Sequence, residues 1–432
     1  MNKKNVLIKN ISILLIFGGL SKIVGSIGKI IFTRIAGLKV ISIYSIIIPT
    51  FMLIVTLSQF SMPISISKIT SEEKYRNTDI LFNSLLISLI VNIIIILITL
   101  VSSTLIATTL HDKNLSAIIE CITLTIPFVS ITSIQRGFLH GKEDMFLSTL
   151  TSVFEEVIKI ILIVTLIPIF ISISNYHAVI GTILFNIILE LSTIIILHIR
   201  IKNKYIQNKK YKLNYSLIKD ILSISVPTTF IRLISAIGLF IEPIILTNTL
   251  IQTGYIDSYI KTNYGIINSY IIPLLSIPSF FSASLASALL PNITKLYSNK
   301  KYEDFKRKVF NITVITLIIS IIFATIILLF PSYLLKLIYN TNIGINYVYV
   351  LGPVFILLYL QPILVSVVQA SGNVNKLFII SIINVILKYS FLYLLGINNY
   401  GINSYVYSII LGIITTTLLL MCLTYKIIRN PA

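Results

Sequence analysis

A chain of 432 residues that is 56% hydrophobic and only 11% charged has the composition of a membrane protein, which excludes an ordinary soluble enzyme or regulator. Its net charge of +19 would suit nucleic acid, but most of the cations sit in short segments between long apolar runs, and that placement rejects nucleic acid as a partner. The two cysteines, Cys121 and Cys422, both fall inside apolar runs and give no basis for a disulfide framework.

Crossing a ~30 Å hydrocarbon core takes about 20 helical residues. Twelve runs are long enough: 11–33, 40–66, 80–109, 117–135, 147–171, 178–199, 220–249, 263–290, 309–335, 347–370, 377–395 and 403–425. The first follows Lys3, Lys4 and Lys9 but closes on no small-residue cleavage site, so it reads as an uncleaved span. Within it Lys22 and Lys29 are seven residues apart and share a helical face. Gly18, Gly19, Gly25 and Gly28 equip the same span to bend and to pack closely. Span 4 carries Glu120; span 5 carries Glu155 and Glu156, four and three residues before Lys159; span 6 carries Glu190. Span 7 holds Arg232 and Glu242 along with Pro227 and Pro243, and span 8 holds Pro273 and Pro278. Span 11 holds Lys388 with Asn384 four residues before it and no acid nearby.

With both termini in the cytoplasm, the cytoplasmic segments hold 24 of the 34 Lys and Arg and the opposite side holds five. That is a strong positive-inside bias, and it predicts a multi-pass plasma-membrane protein whose basic loops set topology and touch lipid headgroups. The 23 Tyr, with no Trp, are the expected interfacial anchors.

The basic segment 200–219 divides the chain into residues 1–199 and 220–432, six spans each. Because six is even, the halves form a parallel repeat. Lys22-Ile-Val-Gly-Ser-Ile-Gly answers Arg232-Leu-Ile-Ser-Ala-Ile-Gly, Ile46–Pro49 answers Tyr270–Pro273, and Gln135 with Gly141 answers Gln369 with Gly372. The expected fold is therefore all-α and integral to the membrane, with two six-helix pseudo-repeats.

Lys22, Arg232, Lys159 and Lys388 each lie about eleven residues into their spans, ~16 Å deep at 1.5 Å per residue. Intramembrane charges are costly, and each is either a functional group or half of a structural pair. Lys159 has Glu155 and Glu156 within helical reach, whereas Lys22 and Lys29 share a span with no acid. Lysine suits a phosphate as a point charge, and arginine grips one in bidentate fashion. No nucleotide-binding G-x-x-x-x-G-K-[ST] exists, and His111, His140, His177 and His198 show no metal spacing. No cofactor, metal or covalent chemistry is expected.

At Ser21–Gly25 through Arg34, Tyr44–Pro49, Pro63–Lys68, Gln135–Met145, Glu155–Ile160, Tyr264–Pro291 and Tyr359–Gly372, the chain resembles a known family. It is the stage V sporulation protein B and polysaccharide-exporter branch of the multidrug/oligosaccharidyl-lipid/polysaccharide flippase superfamily. The resemblance implies two six-helix lobes around a central cavity, working by alternating access on lipid-linked sugars. The related lipid II flippases are similar in span 1, where Lys22 matches a basic cavity position. They differ in placing an arginine at Gly28, an acid at Lys29 and an arginine at Leu53, and in having fourteen spans.

These readings lead to a flippase for a polyprenyl-diphosphate-linked saccharide. Lys22, Lys29 and Arg232 are its first cation candidates, and Lys159 and Lys388 the second. The alternatives are a cation-coupled multidrug exporter using Glu120, Glu155, Glu190 or Glu242, and a non-transporting scaffold for spore-envelope or wall synthesis. Expected partners are the lipid-linked saccharide, membrane lipids and glycan-synthesis enzymes.

Overall fold

The computed structural model describes residues 3–206 and 211–429, so positions 207–210 of the basic segment lie outside the described residues. Lipid supplies no hydrogen-bonding partners, so a spanning backbone must satisfy itself as helix. Among the described residues there is no strand. The chain divides into two compact units, Met1–Phe240 and Ile241–Ala432.

The N-terminal unit begins with α1 (Lys3–Gln59) and α2 (Met62–Ser71). It continues through α3 (Asn77–Thr109), α4 (Leu115–Thr123), α5 (Ile126–Gly141), α6 (Met145–Ile173) and α7 (Asn175–Tyr205). The division between units falls inside α8 (Tyr215–Gln252). The C-terminal unit then contains α9 (Asp257–Ile266), a π turn (Ile267–Ile271), α10 (Ile272–Ser276) and α11 (Ser279–Ser298). It closes with α12 (Tyr302–Leu329), α13 (Pro331–Tyr339), α14 (Ile345–Ala370), α15 (Val374–Ile397) and α16 (Asn403–Arg429).

Nine helices are long and apolar enough to cross a membrane, or eleven when the bent pairs α4–α5 and α9–α11 each count as one span, among the described residues. α1 takes in predicted span 1 and predicted span 2 as far as Gln59. Its 57 residues as a straight rod would run ~85 Å, far beyond a bilayer. It is broken at Gly37, where φ 71° and ψ 171° suit only a residue without Cβ. The sequence places its span boundary at this point. It does not anticipate the second break, at Phe60 and Ser61 with φ of 46° and 47°, which cuts predicted span 2 and starts α2 just before Pro63. Predicted spans 4 and 8 are bent by 41° and 51°, with Pro127, Pro273 and Pro278 at the helix starts.

Each unit has an apolar core near one end. Met62, Ile66 and Ile69 of α2 pack with Phe138 of α5 and Leu197 of α7, and Leu289 and Ile293 of α11 pack with Phe305 of α12 and Val367 of α14. The loop before α6 is fixed by charge. Asp144 accepts from Arg200 Nε (2.9 Å), Lys204 Nζ (3.1 Å) and Tyr205 Oη (3.0 Å) at the end of α7. Burial pushes its carboxyl up, but those three donors outweigh burial and hold it below the usual carboxylate value. A depressed carboxyl contributes stability that is present above the unfolded pKa of ~3.9 and lost as pH falls through the folded value. Asp144→Asn should therefore cost about 1–2 kcal/mol at pH 7. The difference between the two proteins in thermal unfolding should close as the pH is lowered below about 4; a gap that persists there would rule this role out.

Candidate functional site

In α1, Lys22, Gly25 and Lys29 follow at intervals of three and four, so they form one stripe facing α6. A Cβ on Gly25 would lie 3.0 Å from Glu156 Cδ, and one on Gly28 would lie 3.1 Å from Ile160 Cγ1. The Glu156 carboxylate thus rests against the bare backbone of α1, one turn from each lysine. Lys159, one turn further along α6, is near enough to Lys29 for their like charges to repel. Tyr44, in the second half of α1, lies within the fields of both Lys159 and Glu156. Lys22 and Lys29, both exposed, thus lie one turn to either side of the point where Glu156 meets α1, with Lys159 one turn further along α6. An acid thus reaches the first span from α6.

Glu155, the other acid beside Lys159 in sequence, points away from it. It accepts from Arg136 Nη2 of α5 (2.7 Å) and Thr193 Oγ1 of α7 (2.6 Å). Thr132 of α5 donates to Glu190 of α7, and Glu190 feels the charges of both Glu155 and Arg136. Two carboxylates thus share one guanidinium, whose Nε is buried without a hydrogen-bond partner, as is Gln135 Oε1 beside it. The sequence reading ends span 4 at 135 and counts Arg136 as a loop cation. α5 in fact continues to Gly141, which carries Arg136 inside the bundle. The Gln135-Arg136-Gly137 motif was the signal that could have placed it. Glu120 does not join this group; it is exposed and accepts from Ser103 Oγ at 3.1 Å.

Arg232 donates through Nη2 to Gln59 Oε1 at 2.8 Å, at the end of α1, and is half-buried. Its neighbour on α8, Glu242, belongs to the C-terminal unit and is 3% exposed. Glu242 accepts from Lys388 Nζ of α15, Tyr405 Oη (2.9 Å), Tyr264 Oη (3.2 Å) and Tyr389 Oη (3.4 Å). Asn268 Oδ1 lies 3.0 Å from the same Tyr405 hydroxyl and competes with Glu242 for its one proton, and the Tyr264 and Tyr405 rings lie 5.0 Å apart. Lys388, which has no acid near it in sequence, is neutralised by a residue 146 positions away.

Residues 7–297 match the family described as polysaccharide biosynthesis protein, and residues 267–394 match the MatE family. Stage V sporulation protein B of Bacillus subtilis (strain 168) is 28% identical over 429 residues, covering 96% of this chain and 83% of that protein. Sporulation protein YkvU of the same organism is 23% identical, covering 98% and 95%. The fold is that of a multidrug resistance MATE family transporter of the MOP superfamily. Its inward-facing structure matches with a TM-score of 0.73 at 16% identity over 95% of this chain and 96% of that one. The outward-facing structure gives 0.63 at 17% identity over 98% and 96%.

Proposed function

The chain belongs to the polysaccharide biosynthesis protein family, a multi-pass membrane family with a transporter fold, and from that premise we propose that it flips a polyprenyl-diphosphate-linked saccharide across the plasma membrane. The observation that supports this reading is the placing of Lys22 and Lys29 of α1 and Lys159 of α6 about the α1–α6 contact, where Glu156 meets Gly25. A diphosphate is a compact multivalent anion, and ammonium groups gathered at one place satisfy it by charge-assisted hydrogen bonds. Glu242 neutralises Lys388, which leaves the lysines of α1 and α6 as the candidates among the mid-span lysines. The cycle is alternating access without covalent chemistry, with both termini in the cytoplasm as the basic segments favour. Proteoliposomes should move a fluorescent lipid-linked oligosaccharide at least about tenfold faster than a neutral phospholipid; equal rates would overturn the assignment.

Arg136 pairs with Glu155, and Glu190 lies within the field of both, so we assign coupling to a proton or Na⁺ at these two carboxylates. Glu190→Gln should leave substrate binding within about twofold and remove the dependence of transport on an imposed ion gradient. Retained gradient dependence would exclude the pair.

The MATE fold favours one rival, a cation-coupled drug exporter built on the same carboxylates. Three lysines facing the substrate would repel an organic cation, so expression should give no drug resistance. Resistance profiling of an expressing strain decides between the two.

A further inference from the structure

The last two turns of α16 carry two stripes. Met421, Thr424, Tyr425 and Ile428 form one face, and Cys422, Lys426 and Arg429 form the other. The second stripe lines a pocket of about 530 Å³ closed by Tyr297 of α11 and by Asn373 and Lys376 at the start of α15. Three cations and no acid line it, and the N-terminus of α15 adds the positive end of a helix dipole. The first stripe lines a neighbouring groove of about 610 Å³, floored by Val309, Leu364 and Met421. Lys306 and Arg307 at its mouth outnumber Glu303. Phe310 and Tyr425, 67% and 61% exposed, stand at its edges, and Tyr425 is common to both spaces.

We propose that this is a binding site for an anionic phospholipid, with its phosphate held by Lys376, Lys426 and Arg429 and an acyl chain lying in the adjoining groove. The argument is charge complementarity joined to an apolar trough at the end of spanning helices. A free phosphate would use the first but not the second, and a zwitterionic lipid the reverse. The volumes are those of ordinary ligand sites. The site belongs to the C-terminal unit and does not depend on the lysine cluster of α1 and α6.

The test uses the full chain in detergent, with retained lipids counted by native mass spectrometry after adding phosphatidylglycerol or phosphatidylcholine. The parent should retain phosphatidylglycerol selectively. Lys376→Gln, Lys426→Gln and Arg429→Gln together should weaken retention on the order of 100-fold, at about a kilocalorie-equivalent per cation. The charge-preserving Lys376→Arg, Lys426→Arg, Arg429→Lys protein should retain it, which separates loss of the site from loss of the fold. Phe310→Glu, at an exposed groove edge, should weaken it as well. Selective retention by the Gln triple, or equal retention of phosphatidylcholine by the parent, would overturn the site. Displacement by millimolar inorganic phosphate, or insensitivity to Phe310→Glu, would reduce it to a soluble-anion pocket. Displacement by the lipid-linked saccharide with matching loss of transport would hand the pocket to the transport substrate instead.

Discussion

Changing Lys22, Lys29 and Lys159 together to Gln should lower translocation of a diphosphate-linked saccharide by at least about 100-fold. A hydrogen bond from an ammonium to a phosphate contributes about 1.5–3 kcal/mol, so losing the equivalent of two such bonds already exceeds two decades. The fold should tolerate the change. Lys22 and Lys29 are exposed, and Lys29 repels Lys159, so removing the charges relieves strain as well as attraction. Circular dichroism and the unfolding midpoint should stay near the parent values. Single changes should cost less than a third of the total, because the remaining ammonium groups can reach the same anion. Undiminished transport in a folded triple variant would refute the assignment of the site.

The second large effect concerns stability. Glu242→Leu leaves the Lys388 ammonium and the Tyr264 and Tyr405 hydroxyls without their common acceptor, and should destabilise the protein by about 3–5 kcal/mol. Adding Lys388→Met should restore more than half of that loss, because the penalty arises mainly from the orphaned charge rather than from the missing attraction. Chemical unfolding of the parent, both single variants and the double variant forms a thermodynamic cycle. Additive losses would show that the two groups are not coupled. Transport by the double variant, if it folds, should remain within a few-fold of the parent.

The spans were legible because apolar length is a strong signal, and so was the Gly37 boundary, which interrupts that length. Breaks inside the spans were legible in part: Pro273 and Pro278 mark the bend in span 8. The left-handed turn at Phe60 and Ser61 falls inside the run read as span 2, between Gln59 and Pro63, and neither residue was read as a break. The candidate site was half legible. The stripe of Lys22, Gly25 and Lys29 follows from helical spacing, but Glu156 reaches it only through the packing of α1 on α6. Spacing along one helix suggested Glu155 as a partner for Lys159, and tertiary packing gave Glu155 to Arg136. Likewise Lys388 seemed to lack an acid because its partner lies on another helix, outside the reach of any local rule. Sequence spacing reports neighbours on one helix, whereas ion pairs in a bundle form mostly between helices.

Gly25 sets a bound on how this protein can diversify. Any side chain there meets the Glu156 carboxyl at contact distance, so it is the seat of that carboxylate that the missing Cβ provides. Substitutions at positions 22, 29 and 159 can change how much charge the site offers while the helices stay where they are. A substitution at position 25 instead displaces the Glu156 carboxylate, whose flexible end is what the new Cβ meets. Laboratory selection for a new cargo should therefore collect changes at the three lysine codons early and leave the glycine codon untouched.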